Sequence, residues 1–342
     1  MRKFEGFYRG INLGGWLSQG SLAKEHLDTF ITEEDIIKIK SMGIDHIRIP
    51  VDFELIEDEQ GNLLEDGHTY IRKGIDWCLN HGLNVVLDLH KTAGYVFDDA
   101  SYSNGFFDNE ALQLRFINLW KVLATRYGNC PDRVALEILN EVVDPNVADK
   151  WNAIARRTIQ AIREITKDSW IIVGGTRNNS VVSVKELGMP YDDRIVYTFH
   201  CYEPLIFTHQ GAYWIENMPR DYKINYPETI GHYVAETERM IDPAMAFPIK
   251  HIAPETMGKE FFREFFKDAI NAAEKYNVPL YCGEYGMIDC AVPETAIRWF
   301  EDIHEIFEEY QIARAVWTYK EKDFGIIGEH YRSIYDGIIK SL

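Results

Sequence analysis

The 342-residue sequence has no run of about 18 apolar residues, so nothing in it reads as a membrane-spanning helix. Its first ten residues, MRKFEGFYRG, start basic but lead into no apolar stretch or small-residue cleavage site. The expectation is a soluble chain, cytoplasmic as written, or secreted if a leader was removed. Cysteine is scarce: five residues, odd in number and without C-x-x-C spacing, which argues against a disulfide framework or a zinc knuckle. Positive charge is short as well, with 36 basic against 54 acidic residues and a formal net charge of −18. The acids are spread along the chain rather than gathered in a tail, so nucleic acid and acidic membrane surfaces are poor partners and a neutral ligand is a better one. No G-x-G-x-x-G follows the first apolar run, and no internal repeat or low-complexity linker divides the chain.

What the chain does have is core: 46% hydrophobic and 13% aromatic residues. Eight short apolar runs recur, at 10–14, 46–50, 84–90, 135–141, 170–175, 194–200, 279–286 and 313–319, each followed by a helical pattern. Thr32 and Asp35 make a capping-box pair ahead of Ile36, Ile37 and Ile39. Ile71, Ile75, Cys78 and Leu79 then follow helical spacing up to Gly82. Eight nearly continuous apolar strands alternating with helices predict an α/β fold, a parallel (β/α)8 TIM barrel spanning residues 1–342 as one catalytic domain. One connection is too long. Between TFHCYEP and PLYCGEYG a helix over about 257–276 would suffice, which leaves 203–256 as an insertion after strand 6. It holds Phe207, Tyr213, Trp214, Tyr222, Tyr226 and Tyr233, and reads as a lid-like subdomain over the barrel mouth; self-packing or an oligomer contact are the alternatives.

Chemistry in such barrels sits at the carboxyl ends of the strands. There the sequence presents Arg48, His90, Asn140 with Glu141 in LEILNE, His200 with Tyr202, Glu284, and Trp317. Singly, each has a bland reading as an ion pair, a core histidine or core filling. Together, from six strands, they form a constellation. Two carboxyl groups facing one site are what glycoside hydrolysis needs, one to protonate the leaving oxygen and one to attack the anomeric carbon or activate water. Glu141 and Glu284 are the pair. Asn140 suits a sugar 2-hydroxyl and Trp317 offers a flat stacking face. Glu137, four residues before Glu141, is expected roughly 13 Å deeper in the barrel and outside the reaction centre, and Asp88 is expected beneath His90 as a structural partner. HEIFE at 304–308 lacks the second histidine of a zinc motif and reads as a solvated helix, while DFG at 323–325 lacks the other kinase elements.

These strand-end residues, with INLGGW near the start and YCGE at the seventh strand, resemble glycoside hydrolase family 5, and in particular its compact clostridial-type endo-β-1,4-glucanases. The resemblance implies a retaining mechanism on β-glucan, cellulose-type or mixed-linkage, or its oligosaccharides, with Glu141 as acid/base and Glu284 as nucleophile. It also implies that Tyr202 and Arg48 orient Glu284, that Asn140 binds the 2-hydroxyl, that His90 and His200 line the cleaved sugar's subsite and that Trp317 is its platform. No metal or organic cofactor is expected, and a monomer is. Two departures stand out. His90 is followed by Lys91 where many relatives carry a second histidine, and GINLGGWL also resembles the family's exo-β-1,3-glucanases, so exo-β-1,3-glucanase, β-glucosidase or β-mannanase activity on the same pair is the alternative. Outside the family, a non-catalytic sugar-binding barrel and a metal-dependent hydrolase using His90, His200 and a carboxylate are the rival classes.

Overall fold

Each apolar run forms a strand, because both faces of each are covered. The computed structural model describes residues 1–98 and 105–342. Within them β1 (Arg9–Asn12), β2 (His46–Val51), β3 (Asn84–Leu89), β4 (Val134–Glu137), β5 (Ile171–Gly174), β6 (Ile195–Cys201), β7 (Leu280–Tyr285) and β8 (Ala313–Val316) pair in that order. All pairs are parallel, and β8 returns to β1 to close a barrel. Every residue of β2 and of β7 is buried, as expected of strands with side chains inside the barrel on one face and helices on the other.

The helices follow their local signals. Thr32 N–H donates to Asp35 Oδ2 (3.0 Å), closing the capping box that starts the helix Glu33–Ser41. Asn109 accepts from the Ala111 and Leu112 amides at the start of Glu110–Tyr127. One link departs from strict alternation: β5 joins β6 through a 3-10 segment, Val181–Leu187, rather than an α-helix. The helix Pro293–Tyr310 also corrects the reading of HEIFE, since His304 is buried and its Nε2 lies 2.9 Å from the Tyr285 hydroxyl.

Alternation along the strands sorts the barrel interior by height. Phe4 and Phe7 from the N-terminal segment pack with Val86, Ala135, Ile172, Val196, Tyr281 and Ala313 as an apolar floor. One inward step higher the interior turns polar, with Arg48, Asp88 and Glu137 all buried. Burying that many polar groups is tolerable only if they satisfy one another.

Residues 203–256 contain the short helix Leu205–Thr208, the helix Ile230–Met240 and a 3-10 turn, Pro243–Ala246. Their aromatics divide in two. Phe207 stacks on Tyr226 at 5.2 Å, Tyr226 donates to Asp302 (2.6 Å) on the helix Pro293–Tyr310, and Tyr233 donates to the Asn225 carbonyl. Tyr213 and Trp214 instead remain 59% and 46% exposed. The first group makes a small core and the second presents a surface.

Candidate active site

Arg48, on the second strand, organises the polar layer. Its five N–H groups make five hydrogen bonds: Nε and Nη2 fork onto Glu137 (2.7 and 3.0 Å), Nη2 also reaches Asn140 Oδ1 (2.9 Å), and Nη1 reaches Asn12 Oδ1 (3.0 Å) and Glu284 Oε1 (2.7 Å). Asp88 Oδ2 sits 3.0 Å from Nη2 and accepts from His90 Nδ1 at 2.6 Å. Glu137 is fully buried, which keeps it out of the cleft, but it is not remote. It shares one guanidinium with Glu284. β4 ends at Glu137 and the chain bends at Asn140. The same bend lets two adjacent residues, Asn140 and Glu141, reach one site, which an alternating strand forbids.

Glu284 reaches the site through an irregularity. Thr198 pairs with Tyr281 and Phe199 with Cys282, but His200 pairs with Glu284, so the register slips by one residue and Gly283 is the extra one. Plain alternation from inward-facing Tyr281 would turn Glu284 toward the helices. The slip turns it into the barrel. Space there is tight, since a Cβ would lie 3.0 Å from Thr198 Oγ1 and 3.2 Å from His200 Nε2.

Glu284 Oε1 is paired with Arg48, and Oε2 accepts from the Tyr202 hydroxyl at 3.0 Å. Glu141 is held differently. Its Oε1 lies 2.8 Å from His200 Nδ1 and its Oε2 accepts from Asn178 Nδ2 at 3.0 Å. Tyr95 pins the backbone beneath, donating to the Glu141 carbonyl and accepting from the Val143 amide. Burial pushes the Glu141 carboxyl up to about 7, opposed only in part by the Asn178 amide. Burial also lowers His200 to about 4 and His90 to about 3, so both imidazoles are neutral at pH 7. Among the described residues His200 Nε2 has no partner, and an unpaired ring nitrogen is tolerated more easily as a bare acceptor than as an N–H. That places the proton on Nδ1, which donates to Glu141. His200 Nδ1 is also 3.7 Å from Glu284 Oε2, so one imidazole stands between the two carboxyl groups.

His90 stacks on Trp317 with centroids 5.7 Å apart and planes 5° from parallel. Trp317 packs with Phe324, of the DFG triplet, and Tyr202. Gly14 of INLGGW clears space for the indole, for a Cβ there would meet Trp317 Cζ2 at 2.7 Å. All eight residues singled out in the sequence therefore lie around one barrel mouth. Asn12, Asn178 and Gly283 escaped sequence reading, although the asparagine pair after the fifth apolar run is a signal for left-handed backbone that could have exposed Asn178. Among the described residues, Glu141, His200 and Glu284 each place one donor atom within 4.8 Å of the others and form a group that could hold a cation; His90 is not among them, its Nδ1 being turned to Asp88.

Residues 11–323 match the profile of the cellulases, glycosyl hydrolase family 5. Among curated proteins the chain is 42% identical over 314 residues to Cellodextrinase A of Ruminococcus flavefaciens, covering 92% of this chain and 86% of that one. It is 41% identical over 341 residues to Endoglucanase C of Acetivibrio thermocellus, covering 98% of each. Among solved structures, Thermotoga maritima Cel5A in complex with cellobiose superposes with a TM-score of 0.76 at 24% identity, over 99% of both chains, which supports the fold.

Proposed function

The chain belongs to the cellulases of glycosyl hydrolase family 5 and is a glycoside hydrolase, and on that footing we propose that it cleaves β-glucan, cellulose-type or mixed-linkage, with retention of anomeric configuration. The observation that carries the mechanism is the spacing of the carboxyl groups. Glu141 and Glu284 bring oxygens within 4.8 Å of one another around His200. Inversion needs roughly 6.5–9.5 Å between the two groups to admit a water, whereas retention uses about 5–5.5 Å.

In this reading a Glu284 oxygen attacks C1 while Glu141 gives its proton to the departing glycosidic oxygen, leaving a glycosyl ester on Glu284. Glu141, now a carboxylate, then takes a proton from water. The resulting hydroxide equivalent attacks C1 and releases Glu284. The two carboxyl groups are suited to different tasks by their surroundings: Glu141 retains its proton near neutral pH because little of its side chain reaches solvent, and Glu284 is aimed by Arg48 and Tyr202. Asn140 offers its amide to the sugar 2-hydroxyl, His90 and His200 line the subsite of the cleaved sugar, and the Trp317–His90 stack makes its floor.

Oligosaccharides are the preferred form of substrate in this proposal, with residues 203–256 as the lid. The exposed Trp214 ring supports it. That ring contacts His209 and Phe324, both of which pack against Tyr202, so an open aromatic face lies two rings from Glu284. Chromatography of products from cellopentaose, mixed-linkage β-glucan, laminarin and mannan tests the substrate, with Glu284→Ala beside the wild type. Internal cleavage of the first two, abolished in the variant, is the expected result. Single glucose units from laminarin would move the assignment to exo-β-1,3 action, and proton NMR of the first-formed anomer separates retention from inversion.

A further inference from the structure

The chain after β5 adopts a conformation that needs a reason. Arg177, Asn178 and Asn179 have φ of +57°, +54° and +57°, three successive non-glycine residues in the left-handed region. Single asparagines visit that region, but a run of three is disfavoured for L-residues and persists only where the surroundings enforce it. Enforcement is visible on both sides. The Arg177 and Asn178 amides donate to the Val143 and Val142 carbonyls at 3.2 and 3.0 Å, and the Asn179 carbonyl accepts from the His200 amide at 2.8 Å. From residues 203–256, the Phe247 ring lies 4.9 Å from the Arg177 guanidinium carbon. The product of this arrangement is one contact, Asn178 Nδ2 on Glu141 Oε2 at 3.0 Å.

We propose that the 177–179 loop is a positioning device for the general acid, in which Asn178 locks the Glu141 carboxyl against rotation and Phe247, stacked on Arg177, keeps the loop in place. The proposal rests on Glu141 being the acid. A carboxyl gripped on one oxygen turns freely about its last torsion, which is broad for a carboxylate. Here His200 takes Oε1 and Asn178 takes Oε2, so the plane is set and the proton is aimed. Proton donation gains from such aim only when the leaving group needs a proton. Asn178 is thus a positioning residue, and through Arg177 the insertion bears on the protonation step.

The test is kcat/KM of the full-length enzyme on phenyl and 2,4-dinitrophenyl β-cellobiosides, whose leaving groups differ in their need for a proton. Asn178→Gly is the informative variant, because glycine accepts φ near +54° while losing the amide. Losing a hydrogen bond that Glu141 keeps as it gives up its proton and becomes charged is expected to lower kcat/KM on the phenyl substrate by about tenfold to a hundredfold, and on the dinitrophenyl substrate by under about threefold. Phe247→Ala should shift the two substrates in the same sense and by less. An equal fall on both substrates in Asn178→Gly would make Asn178 merely structural and overturn the proposal, and an unchanged Phe247→Ala would remove the insertion from it. Glu141→Ala runs in parallel: a leaving-group-selective loss there upholds the acid assignment whatever Asn178 does, and an unselective loss defeats that assignment first.

Discussion

Replacing Arg48 by lysine keeps the charge and removes the fork. The guanidinium satisfies Glu137 twice and Asn12, Asn140 and Glu284 once each, in a layer with no solvent access to Arg48 or Glu137. An ammonium has three N–H groups, so at least two of these five bonds must be lost. A buried acceptor stranded in this way costs about 1–3 kcal/mol, so the substitution should cost about 2–6 kcal/mol, a large part of a net stability of roughly 5–15 kcal/mol. With an unfolding entropy near 2.1 cal/mol/K per residue, a 342-residue chain should lose about 3–8 °C in Tm. Differential scanning calorimetry at neutral pH reads the shift, and cellobioside kinetics below the transition read whether Glu284 is still held. Activity should fall with Tm, since Glu284 Oε1 loses its 2.7 Å partner or shares it with Glu137. A variant within 1 °C of wild type and fully active would refute the view that the bidentate geometry, rather than charge alone, holds this layer together.

The raised Glu141 carboxyl predicts the sign of the pH profile: the acid is protonated below about 7 and lost above it, so kcat/KM on poor leaving groups should decline through neutral pH toward alkali. A flat profile between pH 6 and 9 would contradict this. Gly14→Ala should push the Trp317 indole off its stack on His90, because the new Cβ would meet Cζ2 at 2.7 Å; cellobioside kcat/KM should drop about tenfold or more while stability falls by only about 1–3 kcal/mol. Trp214→Ala, on an exposed ring, should leave Tm unchanged and raise KM for cellopentaose more than for cellobiosides. Equal effects on long and short substrates would remove Trp214 from substrate binding.

The eight strands and the height of their polar ends follow from the order of the amino acids alone. A strand covered on both faces must be apolar along its length, so charged and aromatic residues where each run stops mark the open mouth of a barrel. That is why Arg48, His90, Asn140, Glu141, His200, Tyr202, Glu284 and Trp317 stand out in the sequence. Contacts between distant parts of the chain supply what local periodicity cannot carry. Glu284 faces inward only because the sixth and seventh strands slip past each other at Gly283, and Asn140 and Glu141 share the site only because the chain leaves strand geometry after Glu137. Glu137 belongs beneath the reaction centre because Arg48 spans from it to Glu284, and Asn178 reaches Glu141 because contacts from two neighbouring strand ends and from Phe247 hold its loop left-handed. Each of these depends on residues tens to hundreds of positions apart. A side chain's neighbours along the chain limit which conformations it can take, and only its neighbours in space select one.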